Sequence, residues 1–211
     1  MGVPCPGCDR EYDVALFAFG RTIHCTCGRR VGLEVRVRGV DGGSPPRFFA
    51  DAMLGRLARW LRILGFDVAY EAHIADGELA RRAVEQGRQI LTRDRALPLE
   101  WRVSGVYVVA AERPFEQLRE VVEAFDLGGA ARPFTRCNRC NAPLVAASRG
   151  EVDGQVPARV LARHDRFQRC THCDRVYWAG SHIQRMEGLL EKLLSERASG
   201  PGETTARELE R

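Results

Sequence analysis

Eight cysteines in four close pairs constrain this 211-residue chain more than any other feature. Cys137-Asn-Arg-Cys140 and Cys170-Thr-His-Cys173 are two Cys-x-x-Cys knuckles. Two knuckles together bring four thiolates within tetrahedral reach of one Zn2+, and four protein ligands make such a site structural. The N-terminal set is less regular. Cys5-Pro-Gly-Cys8 is a standard knuckle, but Cys25-Thr-Cys27 is one residue short, and His24 lies at knuckle spacing from Cys27. The second ligand set is therefore Cys5, Cys8, Cys25 and Cys27, or one in which His24 replaces Cys25. For so short a segment the metal would supply much of the folding energy.

No apolar run approaches the roughly 18 residues that a membrane span requires, and the N-terminus lacks a charged stretch followed by an apolar one. A cytoplasmic chain with no membrane partner is expected, in a compartment where paired cysteines hold metal rather than form disulfides. The net charge is +4, from 32 Lys+Arg against 28 Asp+Glu, and Lys192 is the one lysine. Arginine suits phosphate because its planar fork donates two parallel hydrogen bonds, yet +4 permits nucleic-acid binding without demanding it.

Composition divides the chain into an N-terminal zinc ribbon at 1–38, a Gly/Pro-rich linker at 39–46 and an α/β domain at 47–130. A C-terminal zinc ribbon at 131–181, a helix at 182–197 and a disordered tail at 198–211 follow. In the central part, short apolar runs at 48–50, 67–70, 89–92 and 106–110 read as strands. Leu54, Leu57, Ala58, Leu61 and Leu64 recur at helical spacing, as do Leu79, Ala80, Ala83 and Val84. A further helix is expected over 115–125. Strands alternating with helices imply a parallel sheet with helices packed on it.

In such a sheet, ligands bind beyond the carboxyl ends of the strands. Asp51 follows the first strand, Asp94 follows the third, and Asp76 opens the helix after the second. Three carboxylates thus converge on one edge, the donor set that Mg2+ and Mn2+ prefer. Helix or turn capping is the competing use for Asp76 and Asp94, whereas Asp51 has less evident local use. Arg56, Arg59 and Arg62 on the first helix form a phosphate track or a solvated face. Arg93 either offsets phosphate charge or pairs with a nearby acid. Tyr177 and Trp178 stack bases or fill the ribbon's core, and His164, His172 and His182 are read as ordinary hydrogen-bonding side chains.

The run FFADAMLGRLARWLRILGFDV (Phe48 to Val68), with DGELARRA (Asp76 to Ala83), ILTRDRAL (Ile90 to Leu97), CNRC and HDRFQRCTHCDRVYWAGSH (His164 to His182), resembles the Mut-seven carboxy-terminal RNase domain. That resemblance covers about residues 47–195 and implies a PIN-like nuclease fold with an appended zinc ribbon. It implies metal-dependent (Mg2+ or Mn2+) endoribonuclease cleavage of RNA, with Asp51, Asp76 and Asp94 at the positions of the PIN acidic cluster. Many PIN nucleases carry a fourth acid, for which Glu78, Glu112 and Asp165 are candidates. The N-terminal ribbon lies outside the resemblance and is free to serve a protein partner. The reading from a different class is a non-catalytic RNA or ribonucleoprotein-binding adaptor built on zinc ribbons.

Overall fold

The computed structural model describes residues 2–37 and 44–180, together with 188, 190 and 193. Most of the expected linker, the expected helix at 182–197 and the tail lie outside the described residues, as does His182, although Leu190 and Leu193 are buried. The chain divides into two compact units, one of residues 1–144 with 170–173 and one of 145–169 with 174–211.

The first unit opens with two small antiparallel hairpins, β1 (Gly2–Pro4) with β2 (Glu11–Asp13) and β3 (Ile23–His24) with β4 (Arg30–Val31). Their core is Cys5, Phe17, Cys25 and Val31, too little apolar mass for an independent domain without metal. Beyond them lies a four-stranded parallel sheet, β5 (Phe48–Ala50), β6 (Val68–Tyr70), β7 (Gln89–Thr92) and β8 (Val106–Val108), in the order β6-β5-β7-β8. The two central strands are buried along their whole length, as strands covered on both faces should be, with the polar Gln89 and Thr92 at the ends of β7 buried too.

The helices follow the apolar spacing. Helix α1 (Gly55–Ile63) buries Leu57, Ala58 and Leu61, and α2 (Asp76–Gln86) buries Leu79, Ala80 and Ala83. A short α3 (Leu97–Glu100) and α4 (Pro114–Ala124) complete the layer. Element limits differ from the sequence reading by one or two residues: α2 begins at Asp76 and β8 stops at Val108. The chain passes from β5 through α1 to β6 on one side, then through α2 to β7 on the other. The topological switch point therefore lies between β5 and β7, where Asp51 and Asp94 emerge.

The N-terminal hairpins are stitched to the segment after α3 by main-chain bonds. Thr22 N–H donates to Glu100 O (2.7 Å), Arg102 N–H to Gly20 O (2.7 Å), Val35 N–H to Arg102 O (2.8 Å) and Ser104 N–H to Val35 O (3.0 Å). Leu99 O accepts from Thr22 Oγ1 (3.0 Å) and Arg30 (3.1 Å). In the C-terminal part of the chain, β10 (Phe167–Cys170) and β11 (Val176–Trp178) pair antiparallel, and β9 (Leu144–Ala147) adjoins β10. Val152, Val156 and Phe167 are buried there with Trp178 packed against them, which places that tryptophan in the core of its module.

Candidate active site

Both cysteine sets close into four-sulfur groups whose ligand atoms lie within 4.8 Å of one another: Cys5, Cys8, Cys25 and Cys27, and Cys137, Cys140, Cys170 and Cys173. Sulfur separations are 3.5 Å for Cys5–Cys27 and Cys8–Cys25, 3.7 Å for Cys137–Cys173 and 3.3 Å for Cys140–Cys170. A tetrahedral zinc with Zn–S of about 2.3 Å has edges of about 3.8 Å, so both groups could hold zinc. His24 is exposed and outside the N-terminal group.

The turn geometry explains why the short Cys25-Thr-Cys27 knuckle works. The residue after each pair has positive φ: Asp9 (58°), Gly28 (85°), Asn141 (71°) and Asp174 (55°). Gly, Asn and Asp are the residues that reach this region at least cost. At Gly28 the N–H bonds Cys25 O at 2.9 Å, which closes the turn with one residue fewer. Four thiols this close cannot all ionise without a cation. The Cys27 backbone N–H and the Tyr12 hydroxyl bring Cys25 down to about 5. The Arg10 backbone favours the Cys8 thiolate, yet Cys25 and Cys27 push that thiol up to about 12. Burial and its neighbouring sulfurs likewise raise Cys140 to about 12, against the Ala142 backbone N–H. A divalent cation relieves this conflict.

The first C-terminal knuckle is clamped to the parallel sheet, and here Arg62 departs from the expected phosphate track. It is buried, donating to Val68 O (2.9 Å) and Arg139 O (2.8 Å). Beside it, Asn141 accepts from Val68 N–H (3.0 Å) and donates to Asp67 (2.7 Å), which also receives Arg88 (2.7 Å). Burial alone would raise the Asp67 carboxyl; bonds from Arg88 and Asn141 overcome it and hold the group at about 2.

At the switch point, Asp51 is 5% exposed and both its oxygens are engaged. Oδ1 accepts from Ala52 N–H at 2.5 Å, and Oδ2 accepts from Thr92 Oγ1 at 2.6 Å. Asp51 thus has the local use that the sequence did not suggest, as cap of the turn at Ala52–Leu54. A carboxylate has about four lone-pair sites, so two remain for a cation. Asp94 accepts from Ala96 N–H (2.8 Å), while its own N–H donates to Thr92 Oγ1 (2.9 Å). Asp76 is the reverse of the capping expectation: the cap position is Ala75, without a side-chain bond. Burial raises the Asp76 carboxyl first, then the charges of Asp51, Asp94 and Glu100.

Glu100 is the acid that the sequence reading missed; it ends a four-residue helix containing Pro98, too short to leave a periodic signal. The earlier candidates stand elsewhere. Glu78 is bound by Arg81 (2.6 Å), Glu112 is 88% exposed and faces Arg93 (3.9 Å), and Asp165 belongs to the second unit, facing Arg149 (3.5 Å). His164 is half-buried in the second unit and His172 is exposed.

No helix among the described residues is long and apolar enough to cross a membrane. Searches of curated proteins and of solved structures return no match. The family model of the Mut7-C RNAse domain matches residues 46–190, which takes in the parallel sheet, the acidic edge and all four C-terminal cysteines, and leaves the N-terminal four-cysteine group outside. With more than half its length matched, the chain belongs to the Mut7-C RNase domain family, and so to a nuclease family.

Proposed function

We propose that the protein is a metal-dependent endoribonuclease of PIN-like class, with Asp51, Asp76 and Asp94 as its acidic cluster and two structural zinc ions on its cysteines. The observation that carries this reading is the placement of Asp51 and Asp94 on one shared Thr92 hydroxyl at the switch point, with the half-buried Asp76 opening α2 close enough that, after burial, their charges raise its carboxyl. Carboxylates that repel one another at a switch point suit a divalent cation, which would draw them together, since among the described residues only the two cysteine sets already lie within 4.8 Å of one another. Those three aspartates would hold one or two Mg2+ or Mn2+ ions, which when bound supply an acidified water and charge neutralisation for in-line phosphoryl displacement.

The chain's own part is positioning. Thr92 fixes the Asp51 carboxylate through one oxygen and leaves lone pairs directed elsewhere. The Asp94 turn is anchored on the same hydroxyl, so one threonine sets the relation between two acids. Arg93, adjacent to Asp94 and only loosely paired with Glu112, offers a guanidinium to the RNA backbone beside the cluster.

The test is incubation of a single-stranded RNA with zinc-loaded protein and Mn2+, followed by analysis of product ends. Attack by water leaves 5′-phosphates, and that is the expected outcome. Products carrying only 2′,3′-cyclic phosphates would contradict the mechanism. Tight binding without cutting would favour the adaptor reading, in which Asp51 and Asp94 serve only as the caps they also are.

A further inference from the structure

Next to the acidic edge lies a cavity of about 400 Å3 that neither the zinc groups nor the aspartates use. Its wall carries three guanidinium-bearing residues, Arg56 and Arg59 of α1 and Arg93 after β7, with Tyr70 and a single acid, Glu112. Among the described residues, neither Arg56 nor Arg59 forms a salt bridge. Arg93 meets Glu112 only at 3.9 Å, and that carboxylate is 88% exposed, so its screening of the cavity is slight.

The cavity is built rather than incidental. Gly55 and Arg56, the first turn of α1, line it. Tyr70 lies across that turn with its hydroxyl on Ala52 O at 3.0 Å. A Cβ at position 55 would stand 2.6 Å from the Tyr70 oxygen, so only glycine lets the ring occupy this place. The Met53 side chain, 58% exposed, stands on the same wall and adds an apolar surface beside the charges.

The volume exceeds what a bare phosphate fills and falls in the lower part of the range for small-ligand pockets. The geometry points to a nucleotide subsite: Arg56, Arg59 and Arg93 bind the phosphate of an RNA nucleotide next to the scissile one, with Tyr70 and Met53 against its sugar. Its place on a substrate rests on the nuclease reading, but its ligand chemistry does not.

Calorimetric titration of zinc-loaded Asp94→Asn protein, without added Mg2+ or Mn2+, tests the subsite apart from cleavage. The titrants are uridine 5′-monophosphate, uridine and inorganic phosphate. The nucleotide is expected to bind, uridine to bind at least tenfold more weakly, and inorganic phosphate to fall between them. Adding Arg56→Ala and Arg59→Ala should weaken the nucleotide at least tenfold. Arg56→Lys with Arg59→Lys, which keeps charge but loses the fork, should recover part of that loss. Equal affinity for nucleotide and uridine, no effect of the arginine changes at an unaltered melting temperature, or no nucleotide binding would overturn the subsite. Inorganic phosphate binding as tightly as the nucleotide would overturn its assignment to RNA. RNA cleavage by the wild type separates the two readings: cutting without nucleotide binding sinks the subsite alone, and binding without cutting sinks the nuclease alone.

Discussion

Thr92 Oγ1 donates to Asp51 Oδ2 at 2.6 Å and accepts from Asp94 N–H at 2.9 Å, so one hydroxyl joins the carboxyl ends of the two strands that flank the switch point. Thr92 is fully buried, and its hydroxyl has no solvent alternative. Residues that orient metal ligands from behind typically contribute about 10- to 100-fold in affinity or activity.

Thr92→Val keeps the shape and removes that hydroxyl. A cleavage rate reduced about 10- to 100-fold is expected, with an unfolding free energy lower by about 1.5–3 kcal/mol because a buried carboxylate loses a donor. Denaturant unfolding and single-turnover cleavage read the two effects separately. An active variant would mean that Asp51 needs no orientation from Thr92.

Asp76→Asn should separate stability from activity. Its carboxyl is raised by burial and by Asp51, Asp94 and Glu100, so removing the charge relieves repulsion when no cation is bound. The variant is expected to be as stable as the wild type or more so without Mn2+, and to lose the stabilisation that Mn2+ gives the wild type. Melting with and without Mn2+ checks this; equal Mn2+ stabilisation of both proteins would remove Asp76 from the cluster.

Asp67 carries a pH-linked part of the stability. Its carboxyl is held at about 2 against an ordinary 3.8, so the contribution is complete above 3.8 and is lost as pH falls from there toward 2. At about 1.36 kcal/mol per unit this is about 2 kcal/mol. Asp67→Asn should therefore cost about that much between pH 6 and 8 with no slope attributable to this group. A loss that grows steadily across that range would place the linkage on another residue.

The N-terminal cysteines should control the rigidity of the strip behind the acidic edge. A structural zinc supplies on the order of 10 kcal/mol in small peptides, and the hairpins it would hold bond Glu100, Arg102 and Ser104 through their main chain. The Trp101 ring in turn lies against the first turn of α2, where a Cβ at Gly77 would come within 3.0 Å of it. Cys25→Ser is expected to speed hydrogen exchange at Val35, Arg102 and Ser104, whose amides make these bonds. Unchanged exchange there would show that the ribbon's metal does not support the edge.

Much of this was legible in the sequence, for identifiable reasons. Phe48–Ala50 and Gln89–Thr92 stood out as short apolar runs between helical patterns, and the Leu57/Leu61 face as a helical spacing. Once those were placed, Asp51 and Asp94 had to fall at the carboxyl ends. Cysteine spacing likewise gave the C-terminal four-thiol group, and for the N-terminal one it left Cys25 and His24 as alternatives that the fold decides for Cys25. Arg62 was misplaced because steps of three residues drift on a 3.6-residue helix: it lies about 120° around from Arg56, on the buried side. The Thr92–Asp51 bond and the Glu100 charge are contacts across the fold that no local pattern encodes. The docking of the N-terminal hairpins runs through backbone groups, which every residue carries, and so leaves no side-chain signature.

The most direct test of the acidic edge is the Mn2+-dependent cleavage rate of a single-stranded RNA by wild-type and Asp94→Asn proteins, each loaded with two zinc ions. Asparagine keeps the side-chain oxygen that accepts from Ala96 N–H, so the turn survives while the charge is lost. Cleavage by the wild type alone, abolished when Mn2+ is withheld, is the expected result. Equal cleavage by both proteins, or none by a folded wild type, would contradict the assignment of Asp51, Asp76 and Asp94 as the catalytic cluster.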